Sequence, residues 1–279
     1  MPSSPLKHRL SAETQLRYRL YEKSVQSPEV HVEMFDTFYR EIRESAPRSL
    51  REDFCGTFSV SCQWVRSAQD RTALGLDLDP EPLLYGRQKH WSRLSPAQKK
   101  RIRILQKNVV SKTTPGSDVI VACNFSFCVF KQRRFLIDYF RSCLQSLSSK
   151  GILVLELAGG PGMIESMRER RQIPLNRKEK FTYIWDQKSF DPVSHDGHYA
   201  IHFVLKGKDG KRKRIENAFV YDWRMWTIPE LRECLIEAGF PSTTVFWESE
   251  HQGVGTGEYH QTTQGSNDYA WISYIIGVR

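Results

Sequence analysis

The sequence predicts a doubly wound α/β fold on a mostly parallel sheet, with a helical cap ahead of it and an antiparallel β insert within it. Three observations predict it. From residue 48 onward, strand-length apolar runs alternate with helix-length amphipathic segments, the pattern of a parallel sheet. One run, "SDVIVACNFS", is apolar enough to lie in a sheet centre with both faces covered. After residue 160 the alternation fails and short β-rich runs take its place.

The elements follow in order. Residues 11–46 read as a helical cap: "SAETQLRYRLYEKSV" opens at Ser11, and "VEMFDTFYREI" repeats apolar residues at helical spacing. "SPEV" parts two helices and Pro47 ends the cap. "RSLRED" is a first strand, "VSCQWVRSA" a helix, and "RTALGLDLD" a second strand ending in acid. "PEPLLYGRQKHWSRL" is a helix with Pro80 at its start. "IRILQKNVV" and "SDVIVACNFS" give the third and fourth strands. "KQRRFLIDYFRSCLQSLSS" is an amphipathic helix stopped at Gly151, and "GILVLELAGG" is the fifth strand.

Residues 181–222 hold three short strand candidates, with Asp209-Gly210 as a hairpin signal between the last two. "TIPELRECLIEAGF" is a helix capped by Thr227 and stopped by Gly239. "TTVFWES" and "DYAWISYIIGVR" complete a sheet of seven strands, with "HQGVGTGEYHQTTQGSND" between them as a polar loop. The expected divisions are a cap at 1–47, an α/β core at 48–160, an insert or lid at 161–222, and the rest of the core at 223–279.

The 279 residues suit one large domain or a core with a subdomain, and 39% hydrophobic content is enough for a buried core. No apolar run approaches the ~20 residues of a membrane helix, and residues 1–20 lack the apolar centre of a secretory signal. A soluble, cytoplasmic protein is expected. The six cysteines contain no C-x-x-C pair and read as buried thiols, with no metal site. The net charge is +9, concentrated in "KGKDGKRKR", "RERRQIPLNRKEK" and "KKRIR", which read as solvated faces or as contacts for an anionic partner such as nucleic acid.

Function turns on "REDFCGTF" (51–58). It ends the first parallel strand, where open sheets bind ligands. Gly56 permits close backbone approach, and a helix N-terminus follows. A dinucleotide loop would carry G-x-G-x-x-G, yet Phe54 and Phe58 occupy glycine positions. Glu52 and Asp53 would repel a pyrophosphate and attract an ammonium. "GLDLD" offers a carboxylate for ribose hydroxyls, although Asp77 and Asp79 also suit capping of the next helix. S-adenosylmethionine, with its ammonium, ribose and adenine, suits this loop better than a dinucleotide.

These motifs, with "LREDFCGT", "GLDLDPEPL" and "NFSF…FK.R" in order, resemble class I S-adenosylmethionine-dependent methyltransferases, and within them a bacterial group. The resemblance runs from "YEKSVQ" to "WISYIIG" and implies a Rossmann-like methyltransferase fold with S-adenosylmethionine as cofactor. It implies that Glu52 meets the cofactor's amino end, and that Asp53, Cys55, Gly56 and Thr57 line its loop. Asp77 should bind the ribose, with Leu78 beside the adenine and Asn108-Val109 at the place that reads the adenine amino group. Asn124, Phe125 and Ser126 should end the fourth strand beside the transferable methyl.

The acceptor side is less marked. "NFSF" has the Asn and closing aromatic of a (D/N)PP(Y/F) signature but neither proline. The insert is similar to that of small-molecule N-methyltransferases of the glycine/sarcosine kind. It ends in "YDWRMW", where Tyr221, Trp223 and Arg224 could face an acceptor, Asn124 with them. Glu248 and His251 are further candidates, while His195, His198 and His202 read as hairpin surface residues. The expected activity is methyl transfer to N or O of a small molecule. An RNA or protein methyltransferase using the basic surface, or a non-catalytic module, stays open as an alternative.

Overall fold

Ser11 starts the first helix by accepting the Thr14 N–H at 3.0 Å. The computed structural model describes residues 9–207, 211–251 and 254–279, with backbone alone for His251 and Val254. Helices α1 (Ala12–Val25) and α2 (Pro28–Arg43) come first. Then β1 (Ser49–Asp53), α3 (Ser59–Ser67), β2 (Thr72–Asp77) and α4 (Pro80–Lys89) follow. A one-turn α5 (Pro96–Lys99) leads into β3 (Ile102–Gln106), β4 (Ser117–Ala122), α6 (Arg133–Ser146) and β5 (Leu147–Gly159).

β1 to β5 are mutually parallel where they pair, and β1 stands between β2 and β4. The strand order reverses there, so a crevice opens beyond the carboxyl ends of β1 and β4. Val119 to Ala122 are fully buried because successive side chains enter different cores. Ile120 and Ala122 meet α6, and Val119 and Val121 pack with Val32 and Phe35 of α2.

The insert consists of β6 (Met167–Pro174), β7 (Lys180–Phe190), β8 (Asp196–Lys206) and β9 (Arg212–Arg224), forming a separate antiparallel sheet. It has four strands where the sequence suggested three. β6 falls in the run "RERRQIP"; it is an edge strand with exposed side chains, so nothing forces apolar alternation on it. Lys206 pairs with Arg212 in the last hairpin, and the Asp209-Gly210 turn signal lies outside the described residues.

α7 (Ile228–Ala238) has the expected Thr227 cap, here part of a capping box with Thr227 bonded to the Glu230 N–H, and it stops at Gly239 with φ 105°. β10 (Ser242–His251), β11 (Val254–Thr262) and β12 (Trp271–Val278) finish the main sheet, whose order is β11-β10-β12-β5-β4-β1-β2-β3. The sheet therefore has eight strands, not seven. The added β11 occupies the supposed polar loop, pairing Val245 with Thr262 and Trp247 with His260 at the sheet edge. With one neighbour and a largely exposed surface it needs no apolar pattern. Among the described residues, no helix is long and apolar enough to cross a membrane.

Candidate active site

The loop after β1 has glycine-like geometry at two phenylalanines as well as at its glycine. Phe54, Gly56 and Phe58 take φ values of 53°, 50° and 47°, all left-handed. Phe58 is fully buried, and its ring lies against Gly86, where any Cβ would overlap both that ring and the Thr57 carbonyl. The loop is pinned from the next strand as well. Cys55 N–H donates to the Leu76 carbonyl at 3.0 Å, and Gly56 N–H donates to Asp77 Oδ2 at 2.7 Å. Asp77 also accepts from Asp79 N–H at 2.9 Å, while Asp79 caps α4. The helix-capping role of "GLDLD" thus falls to Asp79, while Asp77 holds the loop.

A cavity of about 620 Å³ opens over this loop. Among the predicted residues its wall contains Glu52, Asp53, Cys55, Gly56, Thr57, Asp77, Asn124, Ser126 and Tyr221. Glu52 is buried, and Ser61 donates to it through N–H at 2.8 Å and Oγ at 2.5 Å. Burial raises its pKa to about 7, against the pull of those hydrogen bonds and of His31.

Asp53 touches the wall, but its carboxylate is spent elsewhere. Arg51 binds it at 2.7 and 3.2 Å, and the Tyr139 hydroxyl donates to it at 2.9 Å.

Three cofactor-side expectations fall outside this cavity's wall. Asn108 is exposed and its side chain accepts the Val110 N–H at 3.0 Å, the work of a turn residue. Val109 is buried in the core, and its carbonyl receives Arg51. Leu78 is 61% exposed and stands outside the wall.

A second cavity, about 550 Å³, lies between α1, the insert and the ends of β5 and β12. Phe125 faces this one, with Glu156, Tyr183, Trp185 and Glu248. Arg224 lines neither cavity: it binds Glu230 at 2.9 Å and the Lys131 carbonyl at 3.2 Å, and stacks 3.9 Å from Trp226. His202 is buried rather than superficial: on β8, between β7 and β9, it is bonded to Asp186 at 3.1 Å and paired with Glu216 at 2.6 Å. His198 is exposed, and His195 packs beside Phe190. The side chain of His251 lies outside the described residues.

Four residues belong to both walls: Tyr21, Asn124, Tyr221 and Trp223. The Tyr21 and Tyr221 hydroxyls are hydrogen-bonded, and burial pushes Tyr21 up to about 12. Sequence reasoning missed Tyr21, and with it Arg17, Tyr18 and His31, because a helix in the cap gives no sign of which face covers a cavity. Glu22 ties α1 down, accepting from Thr57 Oγ1 at 3.0 Å and Tyr85 at 3.2 Å and pairing with His90. His31, Cys123 and Glu156 bring a nitrogen, a sulfur and an oxygen within 4.8 Å of one another, a grouping that spacing could not reveal.

No protein-family model matches the chain, and no curated protein matches it. Solved structures do. CalS10, an amino pentose methyltransferase from Micromonospora echinaspora solved with S-adenosylmethionine bound, matches with TM-score 0.68 at 13% identity, over 97% of this chain and 100% of that one. The fold is that of these methyltransferases. DesVI of Streptomyces venezuelae gives TM-score 0.69 at 13% identity over 97% and 99% of the two chains. The sugar N-methyltransferase KedS8 from Streptoalloteichus gives 0.64 at 17% over 100% and 97%. The methyltransferase fold accounts for the parallel core, the crevice and the placement of the loop after β1 at its mouth.

Proposed function

We propose that the chain transfers a methyl group from S-adenosylmethionine to a nitrogen of a small-molecule amine. The junction carries this reading: Tyr21, Asn124, Tyr221 and Trp223 wall both cavities, so the two lie side by side.

The first cavity suits a sulfonium nucleoside. Glu52, Asp77, Asp79 and Glu81 give it an acidic lining, and the Arg17 guanidinium is paired with Glu81. A Cβ built on Gly56 meets nothing within 4 Å, which leaves the cradle open for a ligand. Asp77 would hold the ribose hydroxyls, and Glu52 with His31 would face the amino-acid end. When bound, the cofactor supplies the methyl group: the acceptor lone pair forms the new bond to carbon, the carbon–sulfur pair stays on sulfur, and positive charge passes to the acceptor. The chain's own part is alignment, which can contribute about 7–11 kcal/mol.

The second cavity suits an amine. Tyr183, Trp185, Tyr221 and Trp223 offer aromatic faces, and Glu156, Glu169 and Glu248 offer carboxylates, against Arg171 as the one Lys or Arg among its described lining residues. CalS10 and KedS8 are an amino pentose methyltransferase and a sugar N-methyltransferase, which supports the same reading. The test is incubation with isotopically labelled cofactor and a panel of amino sugars and other small amines, with products separated by mass. Label on nitrogen is the expected result. Transfer to hydroxyl groups alone, or none to any panel member despite cofactor binding, contradicts it.

A further inference from the structure

We propose that Glu156 receives the acceptor's amino group, its carboxylate serving the second cavity while His31 backs it from the cofactor side. The proposal rests on the N-methylation reading above. Glu156, on β5, is 7% exposed and belongs to the second cavity's wall, whereas His31, on α2, belongs to the first. The two meet across 3.9 Å, from His31 Nε2 to Glu156 Oε1. The other carboxylate oxygen, Oε2, accepts the Asn124 N–H at 2.5 Å, and the Tyr274 hydroxyl donates to Oε1 at 3.4 Å.

That bond to Asn124 distinguishes Glu156 from the other acids of the cavity. Asn124 is a junction residue, and it opens a pair of left-handed residues, with φ 52° at Asn124 and 57° at Phe125. A carboxylate that holds its N–H fixes a strained turn where the two ligands would meet. Glu169 is half exposed and pairs with Arg171 at 3.5 Å. Glu248 is occupied by the Gly257 N–H at 2.8 Å. Neither is joined to the junction in this way.

The surroundings favour an ionised carboxylate. Burial works against the charge on Glu156, but the hydrogen bond and charge of His31 and the Asn124 N–H outweigh it and hold the pKa below its ordinary value. Other titratable groups facing the pair are Glu52 on β1, Cys123 just after β4, Tyr259 on β11, Tyr274 on β12 and Tyr21 on α1. An amine that donates one N–H to this carboxylate keeps its lone pair free to face the junction. Positive charge arriving on the nitrogen then meets a fixed negative group.

The test uses the full chain saturated with S-adenosylhomocysteine and titrated with matched probes: glucosamine against glucose, and cyclohexylamine against cyclohexanol. Tryptophan fluorescence reads binding, since Trp185 and Trp223 line the cavity. The wild type is expected to prefer amine over alcohol by about tenfold or more, and E156Q to reduce this below about twofold with its S-adenosylhomocysteine affinity kept. Should E156Q lose that affinity, E156D, which retains the charge, is expected to keep the amine preference. No amine preference in the wild type, or one that E156Q preserves or E156D loses, overturns the proposal. Failure of the wild type to bind S-adenosylhomocysteine contradicts the cofactor reading beneath it and is seen separately, before any probe is added.

Discussion

The backbone N–H of Gly56 donates to the carboxylate of Asp77 across 2.7 Å, joining the loop after β1 to the end of β2. One side chain thereby sets the position of the loop and stands beside the space that loop encloses. Asp77 also holds the Asp79 N–H, so both arms of the cavity floor share a single anchor.

Phe58 replaces a glycine of the usual loop yet keeps a glycine-like φ of 47° and is fully buried. Restoring the glycine is therefore expected to harm the protein. F58G relieves left-handed strain of about 1–2 kcal/mol but loses an aromatic core side chain, for a net destabilisation of about 2–4 kcal/mol. Urea unfolding measures it. An unchanged or raised midpoint contradicts the assignment of Phe58 to the core.

Glu52 provides a pH test. Burial raises its pKa from 4.5 to about 7, so between those values the folded protein retains a proton that the unfolded chain has lost. The associated stability is present below the unfolded value and is lost as pH rises to about 7, a change on the order of 3 kcal/mol. Thermal unfolding of the ligand-free protein should show this decline in the wild type relative to E52Q. A ligand ammonium favours the ionised form, so cofactor binding below pH 7 should release protons, as read by calorimetry in buffers of different ionisation enthalpy. Equal proton release by E52Q contradicts the assignment.

Glu22 gathers Thr57, Tyr85 and His90 onto α1, while the adjacent Tyr21 walls both cavities. Loss of these bonds in E22A should loosen α1 over the first cavity and cost about 1–3 kcal/mol of bound-state stability. Stopped-flow dissociation of S-adenosylhomocysteine should quicken by about 5- to 150-fold. An unchanged rate would show that α1 does not retain the ligand.

The core was legible where burial imposes a pattern. β4 reads as continuous apolar sequence because both its faces are covered, and α7 declares its ends through Thr227 and Gly239. β6 and β11 were hidden because each is an edge strand with a solvated surface, and neither charge nor glycine content marks pairing on one side. In the site, the motif-borne positions Glu52, Gly56, Asp77 and Asn124 fall on one cavity. Asn108 and Arg224 did not, since a local turn and a neighbouring carboxylate capture them. Tyr21, His31 and Glu156 come together only when α1, α2 and β5 meet, a relation with no counterpart in local spacing.

The most direct measurement is calorimetric titration of wild-type protein and D77A with S-adenosylmethionine and S-adenosylhomocysteine. Loss of the loop anchor and of a charged acceptor should weaken binding by about 2–3 kcal/mol, or roughly 30- to 150-fold. Micromolar binding by the wild type with that loss in D77A is the expected result. Absence of binding to the wild type, or equal binding by D77A, would contradict a cofactor site at the loop after β1.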